Sequence, residues 1–309
     1  MIIRSGLIGI DVSKAHFDIF DAESGRTERH PNSGESARSL ADRLQNRPQA
    51  FAIFEATGRY DRNLRVVFDE LGVAYARVNP SRARDFARAA GYLAKTDAVD
   101  ARMLAAMGQA LSLCPARERD RERERLSGLH KRRDQLVAMR ACERVRLSEM
   151  PDLKDSLESH IAWLDQEIRR LDAMIAAAID ASETLLEEAR LLRTAPGIGP
   201  VAATTLIALM PELGSLSPKT AAALAGLAPF NADSGQFRGV RRIKGGRRRV
   251  RQALYMAAIA AIRSGTRFKT IYETLRAKGK PAKLALIAIA RKLIVALNAM
   301  VRDRVAFQA

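Results

Sequence analysis

The spacing of apolar and polar positions changes twice along the chain and divides it into three segments. Up to about residue 113, short apolar runs typical of buried strands alternate with apolar positions at helical spacing. Between 114 and 190 only helical spacing remains, and from 191 to 309 apolar helices are interrupted by glycine and proline. We therefore predict an α/β domain over 1–113, a helical linker over 114–190 and a mainly helical domain over 191–309.

The first segment carries strand and helix signals in alternation. This order indicates helices packed on a mixed sheet, because each element must bury an apolar face against another. The strand signals are Leu7–Ile10, His16–Phe20, Phe51–Phe54 and Val73–Val78, and the helix signals are Ser36–Arg47 and Leu64–Leu71.

The middle segment contains a single internal proline, Pro151, between two stretches of helical periodicity. This pattern predicts two long helices that meet near Pro151. Their apolar stripe is narrow, which suits a helical hairpin or a coiled coil between protomers. A solvated helical spacer fits the same pattern, and we place no chemistry in this segment.

Charge changes this picture for the last segment. The 309 residues include 52 Lys or Arg and 35 Asp or Glu, a formal net charge of +17. Residues 1–190 carry 31 basic and 31 acidic side chains, whereas residues 191–309 carry 21 basic and 4 acidic ones. The whole excess therefore lies in the third segment, which indicates a surface for a polyanion, most simply nucleic acid.

Other features of the composition narrow the class of protein. With only two cysteines, Cys114 and Cys142, a disulfide scaffold is excluded and a reducing compartment is favoured. The most apolar stretch, Leu284–Ala290, is followed by Arg291 and Lys292, so the sequence contains no uncharged apolar run of 18 residues. We therefore expect a soluble cytoplasmic protein and no membrane partner.

Four carboxylates in the first segment stand at positions suited to a binding site. Asp11 follows the first strand signal and Glu55 follows the third, and strand ends are where open α/β sheets place ligand-binding groups. Thr96 is suited to cap a helix whose first turn would carry Asp97 and Asp100 on one face.

Convergence of such acids would have a chemical purpose. Two divalent cations about 3.5–4 Å apart stabilise the attacking and leaving oxygens of a phosphodiester exchange, and Mg²⁺ prefers oxygen ligands. Each acid alone also has a plain structural explanation. Asp97 favours a helix start, Asp100 suits a solvated surface and Glu55 could pair with Arg59.

In the third segment, Gly197 and Gly199 lie in a Gly-Ile-Gly turn between two helical stretches. This is the turn of a helix-hairpin-helix, in which backbone N–H groups at a helix start hold a DNA phosphate. A plain turn between helices accounts for the same residues.

A dense basic run follows Ser234, which stands in an Asp-Ser-Gly turn sequence. With so few aromatic residues in the run, phosphate contact is favoured over base stacking, although a solvated basic loop also fits. From the residues alone Ser234 is a turn serine. The run comprises Arg238, Arg241, Arg242, Lys244, Arg247, Arg248, Arg249 and Arg251.

These motifs together resemble a known family. Gly9–Lys14, Glu55–Tyr60 and Lys95–Ala101 are similar to the three acidic motifs of the DEDD transposases, the Piv/MooV-like enzymes of IS110-type insertion sequences. Gly226–Gly235 and the basic run are similar to the C-terminal transposase domain of the same family.

The resemblance implies a fold and a role for each motif. The first domain would be RuvC-like, of ribonuclease-H type, with Mg²⁺ bound by Asp11, Glu55, Asp97 and Asp100. Ser234 would be the nucleophile that joins this tetrad in a composite site. A non-coding bridge RNA would direct the choice of donor and target DNA.

We therefore predict a transposase or site-specific recombinase, working as a homodimer or homotetramer on DNA of the bacterial nucleoid. Arg238, Arg241, Arg242 and Lys244 would position phosphates. Two other classes compete with this prediction. A metal-dependent, structure-specific nuclease would use the acids without Ser234, and an architectural nucleic-acid-binding protein would need only the basic segment.

Overall fold

The computed structural model describes residues 6–92, 96–116, 120–230, 242–264 and 267–308. The chain forms two compact units, Met1–Arg119 and Asp120–Ala309. Within its described residues the first unit is an α/β fold and the second is mainly helical, as predicted. The first unit comprises β1 (Leu7–Val12), β2 (His16–Asp21), β3 (Arg26–Pro31), α1 (Gly34–Gln45), β4 (Phe51–Glu55), α2 (Arg62–Leu71), β5 (Tyr75–Val78), α3 (Pro80–Ala89) and α4 (Asp97–Ala110).

The strands of the first unit form one mixed sheet in the order β3-β2-β1-β4-β5. β2 lies antiparallel to both β1 and β3, whereas β1, β4 and β5 run parallel. β1 is therefore central, with β2 on one side and β4 on the other. The carboxyl ends of β1, β4 and β5 meet at one edge of the sheet.

Helices cover both faces of this sheet. Alternate residues of β1, such as Ile8 and Ile10, pack with α1 and α2 on one face. The other alternate residues, beginning with Leu7, lie on the face covered by α3 and α4. This alternation follows from the two-residue period of a strand, and it directs Asp11 to the face that α4 covers.

Close packing of α4 on β1 depends on Gly9. A Cβ atom at Gly9 would lie 1.8 Å from the backbone oxygen of Ala101 and 2.8 Å from the nitrogen of Ala105. Farther along the helix, a Cβ at Gly108 would lie 2.7 Å from Ile53 Cδ1. The two glycines let the helix lie directly on the sheet, and this fixes its first turn near the end of β1.

The second unit is a helical domain with one large core. A small two-stranded sheet joins two of its helices. Its elements are α5 (Arg121–Glu149), a 3₁₀ turn (Pro151–Leu153), α6 (Lys154–Asp180), α7 (Glu183–Arg193), α8 (Pro200–Leu209), α9 (Pro218–Leu224), β6 (Pro229–Phe230), β7 (Arg242–Ile243), α10 (Arg248–Arg263), α11 (Arg267–Ala277) and α12 (Ala282–Asp303).

The two long helices predicted for the middle segment are confirmed as α5 and α6, joined at Pro151. Leu136 and Leu164 belong to a small apolar cluster between them. The opposite end of the pair contributes Leu126 and Ile175 to the same core as α7–α12. These helices are therefore part of the second compact unit, and the division into a linker and a C-terminal domain at residue 190 stays a prediction.

One described helix, α12, is long and apolar enough to cross a membrane by length and composition. Leu293, Ile294 and Leu297 in this helix are fully buried among the other helices of the unit. Core helices of soluble proteins pass the same test, so this helix is weak evidence for a span.

Candidate metal centre and nucleic-acid surface

Asp11 and Glu55 lie at the ends of neighbouring parallel strands. The register pairs Ile10 of β1 with Phe54 of β4, which places Asp11 and Glu55 at the next position on each strand. Paired strands lie about 4.8 Å apart, and paired residues project to the same face. The fold therefore brings these two acids, which are 44 positions apart in the chain, to one edge of the sheet.

The first turn of α4 adds the other two predicted acids. Thr96 is confirmed as the helix cap, because its side chain accepts a hydrogen bond from the nitrogen of Val99 at 3.3 Å. Asp97 and Asp100 follow in the first turn. Packing of Ala101 on Gly9 carries this turn over the carboxyl end of β1, where Asp11 lies.

The pKa of Asp11 reflects the proximity of the two acids on α4. Burial is the main cause of a pKa of about 6 for Asp11, well above its ordinary value of 3.8. The next causes are the negative charges of Asp100, Asp97 and Asp18, in that order. The edge is therefore a concentration of negative charge that a cation would stabilise.

The predicted tetrad omits Asp18, which is part of this edge. The register places Asp18 of β2 directly opposite Asp11, and Asp18 is only 4% exposed. Two neighbours that were also missed contact it: Arg29 donates to its carboxylate at 2.9 and 3.1 Å, and His16 Nε2 lies 3.8 Å away. The signal in the sequence was the polar alternation of His16 and Asp18 within a buried strand.

Several of these groups could ligate a metal. Ligand atoms of His16, Asp18 and Asp97 all lie within 4.8 Å of one another. Carboxylate oxygens dominate the wider set of possible ligands, which also includes Asp11, Asp100 and Glu55. Carboxylate oxygens are the ligands that Mg²⁺ and Mn²⁺ prefer. The donor chemistry and the raised pKa of Asp11 both fit a divalent cation.

In the second unit, Gly197 and Gly199 occupy the predicted turn between α7 and α8. Gly197 has φ +79°, and a Cβ there would lie 2.1 Å from the backbone oxygen of Ala257. Gly199 is the N-cap of α8. The first glycine is therefore required by packing on α10, and phosphate binding at this turn stays a prediction.

Ser234, Arg238 and Arg241 lie outside the described residues, within 231–241. The structure describes a two-stranded stem formed by the residues on either side of this stretch, in which Phe230 of β6 pairs with Arg242 of β7. Below the stem, a Cβ at Gly246 would lie 2.2 Å from the nitrogen of Gly226, so the two backbones touch. Arg251 strengthens this base by donating to the carbonyl oxygens of Gly226 and Gly245 at 3.3 and 2.7 Å.

The described part of the basic run contains two kinds of cation. Arg247 donates two hydrogen bonds of 2.6 Å to Glu212, and Arg249 donates one of 2.6 Å to Asp134. These arginines, with Arg251, are engaged in contacts within the second unit. The side chains of the other described members of the run face solvent, namely Arg242, Lys244 and Arg248.

Comparison with known families covers most of the chain. Residues 8–152 match the family model of the IS110-type DEDD transposases. This range contains all four predicted acids. Residues 189–273 match the model described as the transposase IS116/IS110/IS902 family, and this range contains Ser234.

Individual relatives agree with these matches. The pilin gene-inverting protein of Moraxella bovis is 28% identical over 307 residues, which cover 96% of this chain and 95% of the relative. The corresponding protein of Moraxella lacunata has the same identity and coverage. A protein of insertion element IS110 from Streptomyces coelicolor is 32% identical over 151 residues, covering 48% of this chain and 36% of the relative. The chain belongs to the IS110 family of DEDD transposases, enzymes that cleave and rejoin DNA strands.

Proposed function

We propose that this protein is the recombinase of an insertion sequence, with its metal-dependent centre at the acidic edge of the first unit. The observation that carries the proposal is the convergence of Asp11, Glu55 and the first turn of α4, which comes from three separate parts of the sequence. An edge of this kind, in a family of DNA-cleaving enzymes, is suited to hold the cations of phosphodiester exchange.

The sheet supports a RuvC-like assignment for this unit. Three antiparallel strands followed by two parallel ones, in the order β3-β2-β1-β4-β5, are the arrangement expected of a ribonuclease-H-type fold. In that assignment the central strand carries the first acid, which here is Asp11. We retain the segments 1–113, 114–190 and 191–309 as a proposal for metal-binding, linking and nucleophile-bearing roles.

Asp11, Glu55, Asp97 and Asp100 would hold Mg²⁺, and Asp18 lies beside them. When bound, Mg²⁺ would stabilise negative charge on the oxygens of the scissile phosphate. The carboxylates themselves orient the DNA by fixing where the cations sit. Their negative charge also keeps phosphate away from this edge until the cations are present.

Ser234 would be the nucleophile. Its Oγ forms a bond to phosphorus as the bond from phosphorus to one DNA oxygen breaks, and that strand leaves as a free hydroxyl. In the second step a hydroxyl of another strand attacks the phosphoserine, and Ser234 regains its proton. Because one phosphodiester replaces another in each step, no external energy source is needed for rejoining.

Gene inversion by a full-length relative favours recombination over plain hydrolysis. The name of the pilin gene-inverting protein describes inversion, which requires that every cut strand be rejoined. A structure-specific nuclease, the alternative, would only cut. We therefore place this protein with the recombinases.

The partners would be donor DNA, target DNA and a bridge RNA, with the protein acting on the nucleoid of a bacterium. Exposed apolar side chains on the α5–α6 hairpin support a homodimer or homotetramer in which coiled-coil contacts join protomers. Met139 is 49% exposed and Trp163 is 51% exposed. Val145, Met150 and Leu153 at the end of the same hairpin are also exposed. Several exposed apolar side chains on one element are typical of a protein–protein contact, whereas single ones are ordinary.

The proposal is tested by incubating the protein with labelled DNA that carries both ends of its element and with RNA transcribed from the flanking non-coding DNA. We expect strand cleavage and new junctions with Mg²⁺, neither with EDTA, and recovery when Mg²⁺ is restored in excess. Equal activity in EDTA would contradict a metal-dependent centre. Cleavage without any new junction would favour the nuclease.

For the nucleic-acid surface, we expect the solvent-facing cations to carry the salt dependence of binding. Replacing Arg242, Lys244 and Arg248 together with glutamine should reduce the slope of log affinity against log salt by about 0.9 for each lost contact with duplex DNA. The matched control replaces Lys131, Arg132 and Arg169, exposed cations of α5 and α6. An unchanged slope in the first variant would place the nucleic-acid path elsewhere.

A further inference from the structure

Arg29 reaches from β3 across β2 into the acidic edge. Its Nε donates to Asp18 Oδ1 at 2.9 Å, and its Nη2 donates to Asp18 Oδ2 at 3.1 Å and to Asp97 Oδ2 at 2.6 Å. One guanidinium therefore bridges a carboxylate of the sheet and a carboxylate of α4. No metal-site residue was expected on β3, an edge strand whose side chains are mostly exposed.

The two contacts of Arg29 differ in environment. The Asp18 side chain is 6% exposed and receives two parallel hydrogen bonds, which makes a firm anchor. The Asp97 side chain is 48% exposed and receives a single bond from Nη2. Asp97 can therefore turn away while the guanidinium stays on Asp18.

The bridge also holds Asp97 on one side of the site. β2 and β3 flank one side of β1, whereas β4, which ends at Glu55, flanks the other. Arg29 draws Asp97 Oδ2 toward the β2 side. The oxygen that it occupies is one of the two that Asp97 has to offer to a metal, and a guanidinium does not lose its charge at any physiological pH.

We propose that Arg29 is a resident counter-ion of the acidic edge, which neutralises Asp97 before metal binds and competes with the divalent cation for it. Asp18 anchors Arg29 in both states. When metal binds, the divalent cation replaces Arg29 at Asp97. The negative charge of Asp97 is therefore compensated by a cation both before and after metal binding. This inference rests on the proposed role of the acids as metal ligands.

The test is Mn²⁺ binding, measured by calorimetry on the full chain without DNA or RNA. Arg29→Gln should bind Mn²⁺ about three- to tenfold more tightly than the wild type, because a competitor and a nearby positive charge are both lost. Arg29→Lys should show a smaller gain, since an ammonium cannot contact Asp18 and Asp97 in the same bidentate way. Arg43→Gln is the matched control and should leave Mn²⁺ affinity unchanged, because Arg43 pairs with Glu28 on the surface.

Equal or weaker binding by Arg29→Gln would overturn the inference, and weaker binding would show that Arg29 builds the site. Should that variant fail to fold, Arg29→Lys decides, and affinity no tighter than the wild type then overturns it. Asp11→Asn separates the two proposals. If Asp11→Asn still binds Mn²⁺ as the wild type does, the metal role of the acids is contradicted. If Asp11→Asn abolishes Mn²⁺ binding but Arg29→Gln leaves it unchanged, only the role of Arg29 is contradicted.

Discussion

Replacement of Asp11 by asparagine is expected to stabilise the metal-free protein at pH 8 and to abolish strand cleavage. The pKa of Asp11 is about 6 in the folded chain, against an ordinary value of 3.8. A carboxyl whose pKa is raised by folding stabilises the fold below about pH 4, and that stability is lost as the pH rises through 6. Asparagine carries no charge, so it escapes this loss.

The two effects have different sizes. A shift of about two pKa units corresponds to about 2.7 kcal/mol, and solvent screening at this partly exposed carboxyl reduces the expected gain to about 1–2 kcal/mol. Cleavage should fall at least about a hundredfold, the equivalent of about 3 kcal/mol of lost charge stabilisation. A substitution that stabilises the protein while removing its activity marks a residue retained for function.

The free energy of unfolding is measured by urea denaturation in EDTA at pH 4 and pH 8, and cleavage is measured with Mg²⁺. The difference from wild type should appear at pH 8 and vanish at pH 4. Asp42→Asn, on the exposed side of α1, is the control and should change neither quantity. An Asp11→Asn variant that cleaves DNA at the wild-type rate would remove Asp11 from the catalytic centre.

Ser234→Ala is expected to abolish both the covalent protein–DNA intermediate and strand joining. Alanine lacks the Oγ that would bond to phosphorus, and the acidic edge of the first unit is unchanged by this substitution. Divalent-metal binding and the fold should therefore stay as in the wild type. Joining should fall below detection, because alanine supplies no hydroxyl at this position.

The covalent intermediate is detected on denaturing gels with end-labelled DNA. It migrates slowly because protein is attached, and protease treatment converts it to a band that migrates faster. Ser215→Ala is the matched control, because Ser215 is an exposed serine of the same unit whose hydroxyl donates to the backbone oxygen of Glu212. Full joining by Ser234→Ala would exclude the serine mechanism. Retained cleavage with lost joining would favour the metal-dependent nuclease.

The acidic edge could be predicted in large part because its signals are local. Asp11 and Glu55 each follow a buried apolar run, and Asp97 and Asp100 share one helical turn, so strand ends and helical spacing marked them as candidates. The family resemblance, not the spacing, implied that the four form one set. β3 carried no such signal. Its sequence, Arg26–Pro31, is polar and mostly exposed, without the alternation of a half-buried strand. The contact of Arg29 with the acidic edge could therefore not be predicted from the sequence either.

Roles within the basic run could not be predicted, because ion pairs distant in sequence separate its members. Arg247 pairs with Glu212, 35 residues away, and Arg249 pairs with Asp134, 115 residues away. No local pattern distinguishes these arginines from exposed Arg248 beside them. Only the folded chain shows which cations remain available to a phosphate.

The central claim, that acids from three parts of the first unit share one divalent-metal centre, is tested most directly by iron-mediated cutting of the polypeptide. Fe²⁺ replaces Mg²⁺, and ascorbate with peroxide then generates hydroxyl radicals that cut the chain close to the ion. We expect cuts clustered near Asp11, Glu55 and Asp97, suppressed by excess Mg²⁺ and absent in Asp11→Asn. Cuts scattered over the surface, or unaffected by Mg²⁺, would contradict the claim.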